Sequence, residues 1–270
     1  MVRNEMLISI PEFTVHSYSM ENYSRMIHLD KNVNNLDPGY LYIMGLPRRQ
    51  VVRVAGAINS EKGRDEAPPK WFCQVGTVGN PVYASVEEAK QHIGADYPSI
   101  LNYVSDQSLR DFSTRECIPT GKSKVCSSFV GGRVVLLGDS AAPFPPIGQG
   151  VNAAIEGAMV LDQCIGRALA STSNSREDAL LIAAREYDRL WSKETNAIRI
   201  IAQQYDFSKP FSIICRGLIY IMFGCSTLAN SKKENMSYSD ALWRQKTFER
   251  LLILTAVLLV TLIIITNLIF

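Results

Sequence analysis

The stretch RVVLLGDSAAPFPPIGQGVNAAIEGA, residues 133–158, decides the expected fold class. Its apolar run Val134–Leu137 predicts a strand that is buried on both faces, and this strand ends at Gly138-Asp139. After a proline-rich loop, Gly148-Gln149-Gly150 opens a segment, 149–170, in which apolar residues recur at helical spacing. A strand, a loop and a helix in this order predict an α/β fold, in which ligands bind beyond the carboxyl ends of the strands.

The residues between this strand and this helix suit a ligand with hydroxyl groups at one end and a polarised ring at the other. An ionised Asp139 only accepts hydrogen bonds, which suits sugar-like hydroxyls and not a phosphate. Gly148 and Gly150 have no Cβ, and the free N–H groups of a helix start favour an anion or a polarised carbonyl. A flavin has both parts. A strand, a turn and a capped helix without a ligand explain the same residues equally well.

The segment GDSAAPFPPIGQGVNAAIEGA, residues 138–158, resembles the second FAD-binding motif of the class A flavoprotein monooxygenases, the p-hydroxybenzoate hydroxylase-like group. Within that group it is most similar to the kynurenine 3-monooxygenase-like enzymes. The resemblance implies an oxidoreductase that takes electrons from NADPH through FAD and hydroxylates a small aromatic substrate, with no side chain acting as a nucleophile. It implies cofactor-binding roles for Gly138, Asp139, Pro146, Gly148, Gln149, Gly150, Val151 and Asn152.

A second, looser similarity lies in the segment AREYDRLWSKETNAIRIIAQQYDF, residues 184–207. It resembles the helix that follows the FAD motif in kynurenine monooxygenases, where an Asn-Tyr pair borders the substrate. The resemblance implies substrate contacts for Gln204 and Tyr205, which occupy the positions of that pair.

The sequence also departs from the family pattern. Ala142 stands where the family usually has a histidine, and Gly157 stands where it often has an aspartate. None of the 17 glycines falls into G-x-G-x-x-G, and the family's central motif is matched only by Met1-Val2-Arg3. We therefore expect a C-terminal portion without the N-terminal dinucleotide-binding βαβ unit. It is either a truncated gene product or one whose other half is a second polypeptide.

The remaining patterns predict four regions. Residues 1–130 are expected to form a substrate-side α+β sheet with a helical insertion. Its predicted strands are 39–47, 50–58 and 70–78. Its predicted helix is 85–106, with Ser85 as the N-terminal cap. Residues 131–208 hold the FAD motif and a further helix capped by Ser173 or Ser175. Residues 209–250 are a membrane-proximal region, and 251–270 a transmembrane tail anchor.

The tail anchor is predicted from Leu251–Phe270, which carries no charged residue. Twenty helical residues are about 30 Å long, which matches the hydrocarbon core of a bilayer. Three basic residues precede this stretch, Arg244, Lys246 and Arg250, so the preceding domain is expected to face the cytosol. The candidate membranes for the anchor are the mitochondrial outer membrane and the endoplasmic reticulum. The apolar stretch 209–229 is interrupted by Arg216, which favours a helix on the membrane surface or beneath the domain over a second span.

Composition argues against several other classes. The net charge is +2 and no basic stripe alternates with aromatic residues, so nothing indicates a nucleic-acid partner. The three histidines lack the spacing of metal ligands, and the sequence has no G-x-S-x-G motif that would indicate a hydrolase. The six scattered cysteines are expected to be reduced and mostly buried. Two alternatives to the monooxygenase stay open. One is an inactive, tail-anchored scaffold, and the other is a flavin-dependent lipid reductase or epoxidase.

Overall fold

A computed structural model describes residues 2–37, 40, 42–44, 52–57, 70–96, 98–171, 175–204, 210–224, 230–231, 233 and 235–269. These residues form two compact units. One unit, here the sheet unit, extends from Met20 to Gly121; the other, here the helical unit, comprises Met1–Ser19 and the chain from Lys122, apart from 206–208. The protein is thus a mixed helix and sheet structure that ends in an apolar helix.

The sheet unit is built on a five-stranded antiparallel sheet, whose strands are β2 (Asn22–Leu29), β3 (Tyr42–Met44), β4 (Val52–Ala57), β5 (Lys70–Val78) and β6 (Ile118–Pro119). They lie side by side in the order β3-β4-β5-β2-β6. The longest of these described strands, β5, has the predicted bounds, and it buries alternate side chains because a half-buried strand has a period of two. In the pair of β2 and β5, Asn22 is opposite Val78 and Leu29 is opposite Trp71.

Two helices, α2 (Val86–Asp96) and α3 (Asp106–Thr114), pack on this sheet. The Ser85 hydroxyl accepts a hydrogen bond from the Glu88 amide at 3.2 Å, which confirms the predicted cap. The predicted single helix 85–106 is wrong in its length. The α-helix ends at Asp96 and a 3-10 helix follows from Pro98, because proline disfavours the helical conformation in the residue before it.

The helical unit contains two long helices, α4 (Gly150–Ser171) and α5 (Arg176–Gln203), where the sequence pattern predicts them. Of the two candidate caps for α5 the structure uses Ser175, whose hydroxyl accepts from the Asp178 amide at 3.2 Å. The helices pack closely at Gly157, where an added Cβ would lie 2.7 Å from Nε1 of Trp191. Buried residues of both helices form one core, which includes Ala153, Cys164, Ala168, Tyr187, Trp191 and Ile198.

The strand expected before Gly138 is much shorter than predicted. Within the described residues, β9 (Val134–Val135) pairs only with β8 (Val130–Gly131), as an antiparallel hairpin. The turn between them has Gly132 at φ +58°, a left-handed conformation that glycine adopts without strain. The prediction of a strand buried on both faces is therefore wrong. Leu136 is buried, but Val134 and Leu137 are exposed.

The first residues of the chain are also different from the prediction of strands and turns. Val2–Ser9 forms a helix, α1, which is followed by β1 (Val15–Ser19) in antiparallel pairing with β7 (Lys122–Cys126). Met6 of α1 packs into the core of the helical unit. Burial of one apolar side chain in a tertiary core stabilises a short helix that local propensity would not.

Two further helices in the described part of the chain are α6 (Pro210–Phe223) and α7 (Tyr238–Ile269). Among the described residues, α7 is the one helix whose length and apolar composition allow it to cross a membrane. The side chains of its most apolar window are not buried.

Four of the six cysteines have described side chains. Cys73, Cys117, Cys126 and Cys164 are free thiols and buried, as predicted. The side chains of Cys215 and Cys225 lie outside the described residues.

Candidate functional site

The predicted cofactor-binding segment begins with a tight turn. Gly138–Ser140 forms a 3-10 turn, in which Gly138 has φ +53° and its carbonyl accepts from the amides of Ala141 and Ala142 at 3.0 Å. The Ser140 hydroxyl closes the turn, because it accepts from the Leu137 amide at 3.1 Å. Asp139 is thereby held at the tip with its side chain exposed.

This turn lies against the start of α4. A Cβ added to Gly138 would stand 3.3 Å from the Cβ of Ala154, so a larger residue there would crowd the helix. The contact brings the Gly138–Ser140 turn close to the first turns of α4.

Arg3 of α1 is a neighbour of this turn. Its guanidinium donates to the main-chain carbonyls of Asp139 and Ser140 at 3.3 and 3.2 Å. These bonds leave the Asp139 carboxylate unused, and within the described part of the chain that carboxylate accepts no hydrogen bond from another side chain. A carboxylate with free acceptor capacity is suited to bind the hydroxyl of a ligand.

The backbone at the amino end of α4 is open. Gly148 has φ +77°, and the position of an added Cβ has no atom within 4 Å at either Gly148 or Gly150. Pro146, Val151 and Asn152 are exposed. The first amides of a helix have no partner within the helix, so this end combines free donors, a positive dipole end and space for a ligand.

Gln149 differs from its neighbours, since its side chain is only 2% exposed. Its Oε1 accepts from the Tyr238 hydroxyl at 3.4 Å and from Nδ2 of Asn152 at 3.3 Å. The side chain therefore connects α4 to α7, and what Gln149 offers to a ligand is its position in the backbone.

A polar cavity of about 320 Å³ adjoins this helix start. Gln149, which directly precedes α4, and Asn152 and Glu156 of α4 form one wall. The other wall consists of residues that precede α7, namely Ser231, Lys233, Asn235, Met236 and Ser237. Burial raises the pKa of Glu156, although a hydrogen bond from the Tyr238 hydroxyl at 3.3 Å counteracts this. The cavity offers amide, hydroxyl, cationic and carboxyl groups to a small polar ligand.

The predicted substrate pair is only partly described. Gln204 ends α5, and its main-chain carbonyl accepts a hydrogen bond from the Arg216 guanidinium. It is not among the residues that line the polar cavity. Tyr205 lies outside the described residues, so the role of the pair stays a prediction.

Sequence reasoning missed Glu156 and Tyr238, and it used Arg3 only as a motif remnant. Glu156 follows Asn152 by four residues, and this spacing indicates that both side chains lie on the same face of the helix. Tyr238 reaches Gln149 across 89 positions of sequence, which no local pattern reveals. Within the described ranges, no group of three or more His, Cys, Asp or Glu side chains is placed to hold a metal ion.

Comparisons with known proteins give structural likenesses alone. No protein-family model matches the sequence, and no curated protein matches it. The chain is similar to the tetracycline destructase Tet(51) at 15% identity and a TM-score of 0.48, over 80% of this chain and 55% of that one. It is similar to a tetrameric form of 2-methyl-3-hydroxypyridine-5-carboxylic acid oxygenase at 16% identity and a TM-score of 0.46, over 81% and 53% of the two chains.

A third likeness is to Klebsiella pneumoniae HpxO complexed with FAD and uric acid, at 16% identity and a TM-score of 0.44, over 74% of this chain and 50% of that one. The chain thus spans about half the length of these solved structures. Likenesses this distant assign no function and no residue role to the chain.

Proposed function

We propose that the described turn and helix start form part of an FAD site, and that the chain belongs to an FAD-dependent monooxygenase that hydroxylates a small aromatic substrate, as kynurenine 3-monooxygenase does. One observation carries the proposal. The turn that presents the free carboxylate of Asp139 lies against α4, whose first amides are open to a ligand. The sequence resemblance over 138–158 supports the same conclusion.

The residues present fit a flavin. Gly148 and Gly150 leave space at the helix start, and Asp139 has acceptor capacity for a ribityl hydroxyl. In this proposal the amides of Gly150, Val151 and Asn152, at the amino end of α4, would donate hydrogen bonds to the electron-rich edge of the ring. When bound, FAD supplies electron transfer from NADPH and the activation of dioxygen.

The protein's own part in this proposal is to bind and orient. Arg3 holds the backbone of the Asp139 turn, and the Gln149–Tyr238 hydrogen bond holds the loop that leads into α4. A fixed loop positions a cofactor better than a mobile one, because its donors need no rearrangement on binding.

Membrane anchorage is a further component of the proposal. The apolar part of α7, residues 251–266, is exposed, and a water-exposed apolar helix of this length is unfavourable. We propose that α7 crosses the membrane from the cytosolic side, since Arg244, Lys246 and Arg250 precede the apolar part. The mitochondrial outer membrane and the endoplasmic reticulum are the two candidate membranes.

Flavin binding by the full chain tests the proposal. The chain is purified from its membrane with any polypeptide that stays bound to it, and FAD affinity is measured by quenching of flavin fluorescence. Asp139→Ala removes a charged acceptor and is expected to weaken binding about tenfold to a hundredfold. Asp162→Ala, which removes an exposed carboxylate farther along α4, is the matched control and leaves the affinity unchanged. A preparation that binds no FAD, or equal affinities for wild type and Asp139→Ala, contradicts the proposal.

A scaffold without catalytic activity is the second candidate. Ala142, at the position of the family's histidine, is buried in the core of the helical unit and offers no polar group to a ligand. A chain that reaches the membrane but binds no flavin would favour this candidate. If flavin binds, a product assay with an aromatic amino acid and with an isoprenoid separates the hydroxylase from a lipid reductase or epoxidase.

A further inference from the structure

Helix α6 exposes an uncharged apolar face. Leu218, Ile221 and Met222 are 49%, 78% and 59% exposed, and their spacing of i, i+3 and i+4 places them on one side of the helix. Ile219, between them in sequence, is 2% exposed, so its side chain is buried. Among the described side chains of α6, the side of Ile219 is therefore buried, and the side of Leu218, Ile221 and Met222 is exposed.

The charge of this helix is directed toward the protein. The guanidinium of Arg216 donates to the carbonyl of Gln204 at the carboxyl end of α5, where unpaired carbonyls and the helix dipole favour a cation. At 100° per residue, Arg216 lies on the side of α6 opposite to Leu218. The exposed apolar face thus carries no compensating charge of its own.

This helix is too short to cross a bilayer. The 14 residues of Pro210–Phe223 extend about 21 Å, whereas the hydrocarbon core is about 30 Å thick. The helix ends at Gly224, whose φ of +59° is typical of a helix terminus. A short helix with an exposed apolar face, in a unit that also contains a long exposed apolar helix, is typical of a segment that lies in the membrane interface.

Continuity with α7 and charge complementarity favour lipid as the occupant. Both helices belong to the helical unit, and α7 exposes its apolar residues 251–266. Arg244, Lys246 and Arg250 are exposed on α7 just before that segment, where anionic headgroups attract basic side chains.

We propose that α6 is an interfacial helix of the bilayer that α7 crosses, and that Leu218, Ile221 and Met222 insert between the headgroups and the acyl chains. The inference rests on the membrane anchorage proposed above, and it is independent of flavin binding. It assigns a second, surface-bound contact with the membrane to the chain.

Photolabelling from the lipid phase tests this arrangement. The full chain is reconstituted in vesicles of phosphatidylcholine with phosphatidylserine, an apolar diazirine is activated within the acyl chains, and labelled residues are mapped by mass spectrometry. Label is expected on 218–222 of α6 and on 251–266 of α7. The double variant Leu218→Asp/Ile221→Asp is expected to lose about tenfold of the α6 label, because a charge at that depth is unfavourable. The α7 label stays unchanged.

The matched control is Val82→Asp, which places the same charge at a valine that is 84% exposed in the sheet unit and leaves both labels unchanged. The wild-type pattern decides the question even if the double variant fails to fold. Label on α7 alone overturns the proposal for α6, and label on neither helix overturns the membrane anchorage as well. If the chains crosslink as dimers and α6 is protected from label, a second copy of the chain covers α6, and this result also overturns the proposal.

Discussion

At the scale of the residue, Asp30 shows how one charge organises a helix that is distant in sequence. Its carboxylate accepts from the amide and the hydroxyl of Ser105 at 2.8 and 2.5 Å, and from the Ser108 hydroxyl at 3.1 Å. Partial burial raises the pKa of Asp30, but these hydrogen bonds outweigh it, so the pKa lies below its ordinary value. Since the folded pKa is the lower one, the stabilisation is complete above the unfolded pKa and is lost as the pH falls.

We predict that Asp30→Asn loosens the start of α3. Weaker hydrogen bonds to a neutral amide are expected to cost about 1 kcal/mol, so amide hydrogen exchange in α3 becomes about fivefold faster at neutral pH. The difference from wild type begins to shrink as the pH falls below the ordinary carboxyl pKa of about 4, and it disappears only below the lower pKa that Asp30 has in the folded state. Mass spectrometry of deuterium uptake measures both effects.

The control for this prediction is Glu116→Gln, which neutralises an exposed carboxylate just beyond α3 and leaves the exchange rates unchanged. An exchange ratio that does not decrease at any pH below the ordinary carboxyl pKa would show that the charge of Asp30 has no role.

At the scale of the element, α4 and α5 pack through a glycine, and α7 is bonded to both helices. The Ser239 amide and hydroxyl donate to Glu194 of α5 at 2.9 and 2.6 Å. The Tyr238 hydroxyl donates to Glu156 of α4 and to Gln149, which directly precedes that helix. The first turn of the apolar helix is therefore part of the framework that supports the candidate cofactor site.

The glycine contact gives a second prediction. Gly157→Ala places a Cβ 2.7 Å from Nε1 and 2.9 Å from Cε2 of the buried Trp191, so we expect a destabilisation of about 1–3 kcal/mol. The matched change Gly166→Ala, on the same helix with no atom within 4 Å, is expected to stabilise by about 0.5–1 kcal/mol. Thermal unfolding of the full chain in detergent, followed by circular dichroism, measures both, and shifts in the same direction would contradict the packing described here.

At the scale of the whole molecule, the chain combines a sheet unit, a helical unit and an apolar helix that continues from the latter without interruption. The core of the sheet unit comes from one face of its sheet and from α2 and α3. The core of the helical unit comes from α4, α5 and the first turns of α7. Beyond those turns the described side chains of α7 are largely exposed as far as Thr266, which fits a lipid environment.

Membrane integration gives a third prediction. Val260→Arg places a charge near the centre of the apolar segment, where an arginine costs about 3 kcal/mol, and it is expected to make the chain extractable by alkaline carbonate. Val260→Leu keeps the segment apolar and retains the chain in the membrane pellet. Retention of the arginine variant in the pellet would show that α7 is not what anchors the chain.

The sequence by itself determined the parts that depend on local signals. Apolar spacing and a serine cap define α5, a period of two defines β5, and an uncharged apolar run defines the end of α7. Charged residues, prolines and cap residues act on positions that are a few residues away, so these elements can be predicted from the sequence. The motif 138–152 predicts a ligand site, which stays a prediction, and it does not show which side chains would be available to a ligand.

Only the tertiary structure decided how those parts meet. The contact of Gly138 with Ala154, the bonds from Arg3 to the Asp139 turn and the burial of Gln149 beneath Tyr238 all join positions that no local pattern relates. The same holds for α1, which exists because Met6 is buried, and for the hairpin that replaces the expected strand. Packing free energy depends on which surfaces come together in space, and that information is spread over the whole chain.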